Sequence, residues 1–380
     1  MTTRMWEFEA IDTLFFRDGT PHNAGEGGGL GIKSIFPPYI FTLQGAVRTG
    51  LAIGQGWAPN GDIPFPEELG DGDYLGEISF EGPYLKHGKD HLFPVPLNLL
   101  HKDLDKFSRV VPQGKSYDTD MGRVRLPVLT ETLRGAKTMD DFMIKEDILY
   151  NFLNGQKLTL NEKDFIEKSE LWGKEERTGI GIEKSTRTSK QGMLYFTSHI
   201  RPKPELSIVV KVKGINEKWH QKVSSVLPLG GEGRMATVKI ADDKNIIPPM
   251  PELKDEAGKI TFTVTLITPG CILPSEKAQN TAKDMEDLIK KGYPSIPGNC
   301  VSACRGKLKQ VGGFDIEKRE PRPLIPIIPA GSMWFYEGDT KDIDTLKNLH
   351  GKVSNPLGFN QIIIGNWGFN YESRYNRTVK

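Results

Sequence analysis

Residues 205–240 read ELSIVVKVKGINEKWHQKVSSVLPLGGEGRMATVKI. ELSIVVKVK alternates, with Leu206, Ile208, Val210 and Val212 pointing to one side, the pattern of a half-buried strand. In INEKWHQKVSSVL, Trp219, Val223 and Val226 recur at helical spacing. A glycine loop, LPLGGEG, leads into a second strand, RMATVKI. The same order of strand, helix, glycine loop and strand returns near the C-terminus as SMWFYE (332–337), TKDIDTLKNLHG, SNPLGFN and QIIIG. A recurring unit of this kind argues for two similar domains, although the two sequences barely match.

Each unit has a front half. KITFTVTLIT (259–268) alternates cleanly and precedes the polar-faced helix SEKAQNTAKDMEDLIKKG. WEFEAI (6–11) is a strand, and TLQGAVRTGLAIG (42–54) a helix with Thr42 as its expected N-cap. The summed order is β-α-β-β-α-β twice, so the expected class is α+β: two ferredoxin-like (RRM-like) domains in tandem, each with a glycine-rich loop. The boundaries are 1–245 and 246–380, with a large insertion over about 100–192 in the first domain. Each sheet would carry both helices on one face and leave the other free for a ligand or partner.

A chain of 380 residues with 37% hydrophobic content can bury a sizeable core, and 41 glycines and 26 prolines imply many turns. The formal net charge of +1 excludes binding to nucleic acid or membrane by global charge, so any such surface is a local patch. The opening MTTRMWEFEAID has acids and no apolar core, so no secretory signal is expected. No apolar run approaches the ~20 residues of a membrane helix. A soluble, cytoplasmic protein without membrane contact is the expectation. Cys271, Cys300 and Cys304 are an odd set, which disfavours a disulfide framework. Cys300 and Cys304 have the spacing of half a zinc site, but only the isolated His350 follows, and free thiols are the ordinary reading.

Two stretches imitate nucleotide sites. GEGGGLGIKS (25–34) contains the glycines, lysine and serine of a phosphate-binding P-loop. Ile32 stands where that motif needs glycine, and Pro37 and Pro38 interrupt the helix that should follow. GGEGRMA (230–236) matches a dinucleotide fingerprint but opens a strand instead of a helix. No cofactor is expected from either.

The segment ERTGIGIEKSTRTSKQGMLYF (176–196) reads as a projecting hairpin with a basic, hydroxyl-rich tip. Arg177, Lys184, Arg187 and Lys190 would neutralise phosphates of single-stranded RNA. The bland alternative is a solvated loop, with Glu175, Glu176 and Glu183 diluting its charge. Gly230, Gly231 and Gly233 permit close backbone approach to a phosphate beside Arg234, although glycines more often simply make turns. Lys33 and Ser34 could touch phosphate as side chains of a flexible loop, and Arg48 of the first helix could reach RNA or pair with an acid on the surface. Of seven histidines, His22 alone lies beside a candidate RNA surface, and no acid–base partner accompanies it. No catalytic or metal site is therefore expected.

The run LFFRDGTPHNAGEGGGLGIKSIFPPYIFTLQGAVRTGLA (14–52), with RTGIGIEKSTRTSKQGMLYFTSHIRP (177–202) and LPLGGEGRMATV (227–238), resembles the third subunits of the Cmr module, the type III-B CRISPR effector complex. These belong to the RAMP superfamily, whose members carry ferredoxin-like domains and glycine-rich loops after a late helix. The resemblance runs from the first strand to the final glycine loop and offers no role for about 100–170. It implies a non-catalytic subunit of a guide-RNA ribonucleoprotein in antiviral defence. Such a subunit holds the repeat-derived 5′ handle of the guide and docks the large polymerase-like (cyclase) subunit beside other RAMP subunits. The alternatives are a RAMP-type endoribonuclease that processes repeat RNA, and a structural bridge without RNA contact.

Overall fold

Trp6 and Phe8, two residues apart on one strand, are both fully buried, and the first sheet is built around them. The computed structural model describes residues 2–17, 33–72, 74–119, 122–155, 160–272, 281–315 and 320–367. In chain order, the first half contains β1 (Thr2–Ala10), α1 (Ile40–Gly54), β2 (Ser79–His87) and β3 (Asp90–Pro94). There follow β4 (Lys106–Thr119), β5 (Gly122–Leu129), β6 (Phe142–Lys145), α2 (Glu146–Leu153) and β7 (Phe165–Glu167). A long hairpin, β8 (Trp172–Ile182) with β9 (Ser189–Pro202), precedes β10 (Leu206–Ile215), α3 (Glu217–His220), β11 (Val226–Pro228) and β12 (Met235–Asp242). The eight-stranded sheet runs β11-β12-β1-β10-β2-β3-β6-β7, with β1 antiparallel to both β10 and β12.

The second half contains β13 (Lys259–Leu266), α4 (Thr281–Lys291), β14 (Asn299–Cys304), β15 (Met333–Asp339), α5 (Ile343–Leu349) and β16 (Ile362–Asn366). Its sheet order is β14-β15-β13-β16, all neighbours antiparallel. In the first sheet β1 lies between β10 and β12 with β2 next to β10; in the second β13 lies between β15 and β16 with β14 next to β15.

Helix α1 buries Ile40, Leu43, Val47 and Leu51 at intervals of three and four residues against the first sheet. Removing these four side chains from water is worth about 6–12 kcal/mol before chain entropy is charged. The N-cap is Tyr39, without a side-chain cap; Thr42 lies inside the helix, contrary to the sequence expectation. Helix α3 is only one turn, because Ser224 accepts from the Val226 N–H and starts a new strand there. Val226, expected on the helix, pairs with Thr237 instead.

The expectation of a free second sheet face does not hold for β10. Leu206, Ile208, Val210 and Val212 face α1, while Ser207, Val209 and Lys211 are buried on the opposite side. Val209 packs there with Met5, Tyr84, Phe93 and Ile363, and Lys211 is paired with Asp243 at 2.8 Å. In the segment from about 100 to 192, β6 and β7 extend the first sheet. Within it, β4 and β5 form a hairpin tied to the second sheet by Arg125 and Glu337 at 2.8 Å.

Candidate nucleic-acid interface

The residues after β1 form a junction. Leu14 exchanges backbone hydrogen bonds with Ile200 of β9 at 2.8 and 2.9 Å. The Phe15 carbonyl accepts from the Gly231 N–H at 2.9 Å, and the Phe16 N–H donates to the Ser34 hydroxyl at 2.7 Å. Three distant segments thus meet along residues 14–17: the base of the β8–β9 arm, the glycine loop and the stretch beginning at Lys33.

The glycine loop is shaped by Gly230, whose φ of +83° places it where a side chain is strained. A Cβ there would also lie 2.4 Å from the Phe15 carbonyl oxygen, so the loop can close on the junction only without one. The loop then folds back through Leu229 N–H to the Arg234 carbonyl at 2.8 Å and Arg234 N–H to the Gly231 carbonyl at 3.2 Å.

Arginines gather where the loop meets the arm. Arg177 of β8 and Arg201 of β9 share Glu175, at 2.7 Å (Oε1) and 2.5 Å (Oε2). Both also reach Asp12, Arg201 at 3.0 Å to Oδ1 and Arg177 at 3.4 Å to Oδ2, and Arg234 contacts the same Oδ2 at 3.3 Å. Hydrogen bonds from the Thr13 backbone, then Arg201, hold the Asp12 carboxyl below the usual carboxylate range. Hydrogen bonds from Arg201 and Arg177 do the same for Glu175. Behind them His199 packs 5.0 Å from the Phe15 ring and 3.4 Å from the Thr13 hydroxyl. Burial first, then Arg177 and Arg234, pushes its pKa down, so it adds no cation at neutral pH.

Beyond Arg177 the arm continues about 17 Å to the end of its paired strands, at ~3.3 Å per residue. Its tip, 183–188, is exposed; Arg187 has φ +57°, and the Thr186 and Thr188 hydroxyls lie 2.7 Å apart. Lys184, Arg187 and Lys190 project there without an ion pair among the described residues. Gly179 makes room for the ring of Tyr195, which would lie 2.1 Å from a Cβ at that position. On the opposite face Ile180, Ile182, Leu194 and Phe196 are 50%, 61%, 56% and 42% exposed.

The structure therefore brings Lys33, Ser34, Arg177, Gly230, Gly231, Gly233 and Arg234 to one region, with Lys184, Arg187 and Lys190 at the arm's far end. Two expected contacts are spent internally. The Ser34 hydroxyl is buried and accepts from Phe16, so it does not present an open contact. Arg48 lies on the buried side of α1, 8% exposed, donating to the Leu69 carbonyl at 2.7 Å and the Gly72 carbonyl at 3.4 Å. Its position beside Gln44, Val47 and Leu51 on the helix explains the difference. His22 and most of GEGGGLGIKS lie outside the described residues.

Sequence reasoning missed Arg201 and Asp12 and took Glu175 only as diluting the charge of the arm. Arg201 ends an alternating strand as an ordinary exposed cation would, and only the strand pairing sets it beside Glu175. For the other sequence candidates, burial raises the Cys300 and Cys304 thiols to about 11 and about 12. Among the described residues no cluster of three or more metal-ligating side chains occurs, and no helix is long and apolar enough to cross a membrane.

The family described as CRISPR-associated protein (Cas_Cmr3) matches residues 6–367. The CRISPR system CMR subunit Cmr3 of Saccharolobus solfataricus is 22% identical over 283 residues, covering 72% of this chain and 71% of the relative. A chain of the cryo-EM structure of the Type III-B Cmr-beta bound to cognate target RNA and AMPPnP matches with a TM-score of 0.52 at 18% identity, over 94% of this chain and 95% of that one. A chain of the same assembly bound to cognate target RNA gives 0.51 at 18%, over 94% and 96%. The mixed α/β fold, mostly strands, is that of these subunits, and the chain belongs to the Cmr3 family of type III-B CRISPR effector subunits.

Proposed function

We propose that the chain is a non-catalytic, RNA-binding subunit of a type III-B effector complex, built as two ferredoxin-like domains in tandem. It holds the 5′ handle of the guide RNA on the surface where glycine loop and arm meet, and docks the large polymerase-like subunit beside other RAMP subunits in the cytoplasm. One observation carries this reading: three arginines and a glycine loop from distant segments converge at the base of an arm with a free basic tip. The cations suit phosphate neutralisation, and the exposed hydroxyls of the tip suit the remaining oxygens. The structurally similar chains come from assemblies described as bound to target RNA.

A second reading, a structural bridge without RNA contact, draws support from Asp12 and Glu175, which neutralise most of the charge at the arm's base. Labelled repeat RNA incubated with the purified chain, alone and in the reconstituted complex, separates the readings. Retardation without cleavage is expected. Site-specific cleavage lost on His22→Ala would make the chain a processing endoribonuclease, and no retardation in either setting would leave the bridge.

A further inference from the structure

We propose that Arg177, Arg201 and Arg234 form a seat for one phosphate group of an RNA strand, with Asp12 as the built-in counter-ion that positions them and sets how tightly phosphate is held. This rests on the reading of the chain as an RNA binder and names a part of that surface and its control.

The geometry of sharing carries the inference. Three guanidinium groups from β8, β9 and the glycine loop converge on one carboxylate that has only two oxygens. Oδ2 serves both Arg177 and Arg234, at 3.4 and 3.3 Å, near the outer limit of a hydrogen bond. Against Glu175, Arg177 and Arg201 make tight contacts of 2.7 and 2.5 Å. Glu175 therefore anchors Arg177 and Arg201, while Asp12 meets Arg201 at 3.0 Å and holds Arg177 and Arg234 loosely. A tetrahedral phosphate offers more acceptor directions than a planar carboxylate and suits guanidinium forks.

Charge points the same way. Three guanidinium groups and two carboxylates leave one net positive charge, which one phosphodiester matches. Asp12 and Arg201 are each about half exposed, so a strand lying across the arm's base reaches them from solvent. A cluster that served only to pin the arm would gain nothing from loose contacts, since exposed ion pairs contribute little.

The test is fluorescence anisotropy of a labelled short single-stranded RNA on the full chain within its assembled complex. Removing one negative charge about 5 Å from a phosphate at a water-like dielectric is worth about fourfold before screening, so Asp12→Asn is expected to tighten binding about two- to fourfold at ~0.1 M salt. Arg201→Gln is expected to weaken binding several-fold, and the double variant to lose the gain. Unchanged or weaker binding by Asp12→Asn overturns the proposal. So does unchanged affinity of Arg201→Gln, which sits on an exposed residue and reads the seat even if Asp12→Asn loosens the arm. In either case the parent's RNA binding leaves the functional reading intact. A parent complex that binds no RNA overturns both.

Discussion

Replacing Lys184, Arg187 and Lys190 together by glutamine removes three cations from the end of an arm paired as far as Ile182 and Ser189. Their freedom sets the magnitude. Arg177, Arg201 and Arg234 are held by carboxylates, whereas the tip cations are exposed and unpaired among the described residues, so their counterions are released on binding. For single strands each lost phosphate contact reduces the slope of log K against log salt by about 0.7. Three contacts amount to about 2. Over a fourfold change in salt, from about 50 to 200 mM, the parent should then lose about twentyfold more affinity than the variant. Anisotropy titrations of the assembled complex with guide-handle RNA at several salt concentrations measure both slopes. The tip is far from either core, so the melting temperature should not change. Overlapping slopes and affinities, with assembly intact, would refute the reasoning and reduce the tip to a solvated loop.

Gly230→Ala places a Cβ against the Phe15 carbonyl at φ +83°, so a loss of about 1–3 kcal/mol in denaturant melts is expected, with weaker RNA binding; an unaffected protein would show that the loop is not seated on the junction. Leu51→Ala empties a fully buried site under α1 and should cost about 2–5 kcal/mol, and a smaller loss would mean that the helix does not carry the first core. Burial holds His91, His101, His199, His220 and His350 below the ordinary histidine pKa. The unfolded chain takes up protons first as pH falls through about 6.5, so stability is full above that pH and declines below it. Melting at pH 5.5 should therefore lie below that at pH 7.5, and an equal or higher value would contradict the buried, neutral histidines.

Hydrophobic periodicity located β10 and β13, because alternation over eight to ten residues marks a strand wherever it packs; β16 was legible as a short buried apolar run, and the strand–helix order within each half with them. Periodicity says which side chains share a face but not what covers the other one. The second burial of β10, through Val209 and Lys211, thus depended on residues more than a hundred positions away, such as Tyr84 and Ile363. Composition singled out Lys184, Arg187, Lys190 and the glycine loop, since a basic run and a cluster of glycines are local features. It placed Arg48 on the RNA surface and passed over Arg201, because whether an arginine is free, buried or clustered is settled by its neighbours in space. Asp12, Glu175, Arg177, Arg201 and Arg234 meet only after the arm has paired and the loop has closed on Phe15. Local pattern determines where strands and turns form. Long-range pairing decides which charges share a few ångströms, where Coulomb energy is large enough to make a site.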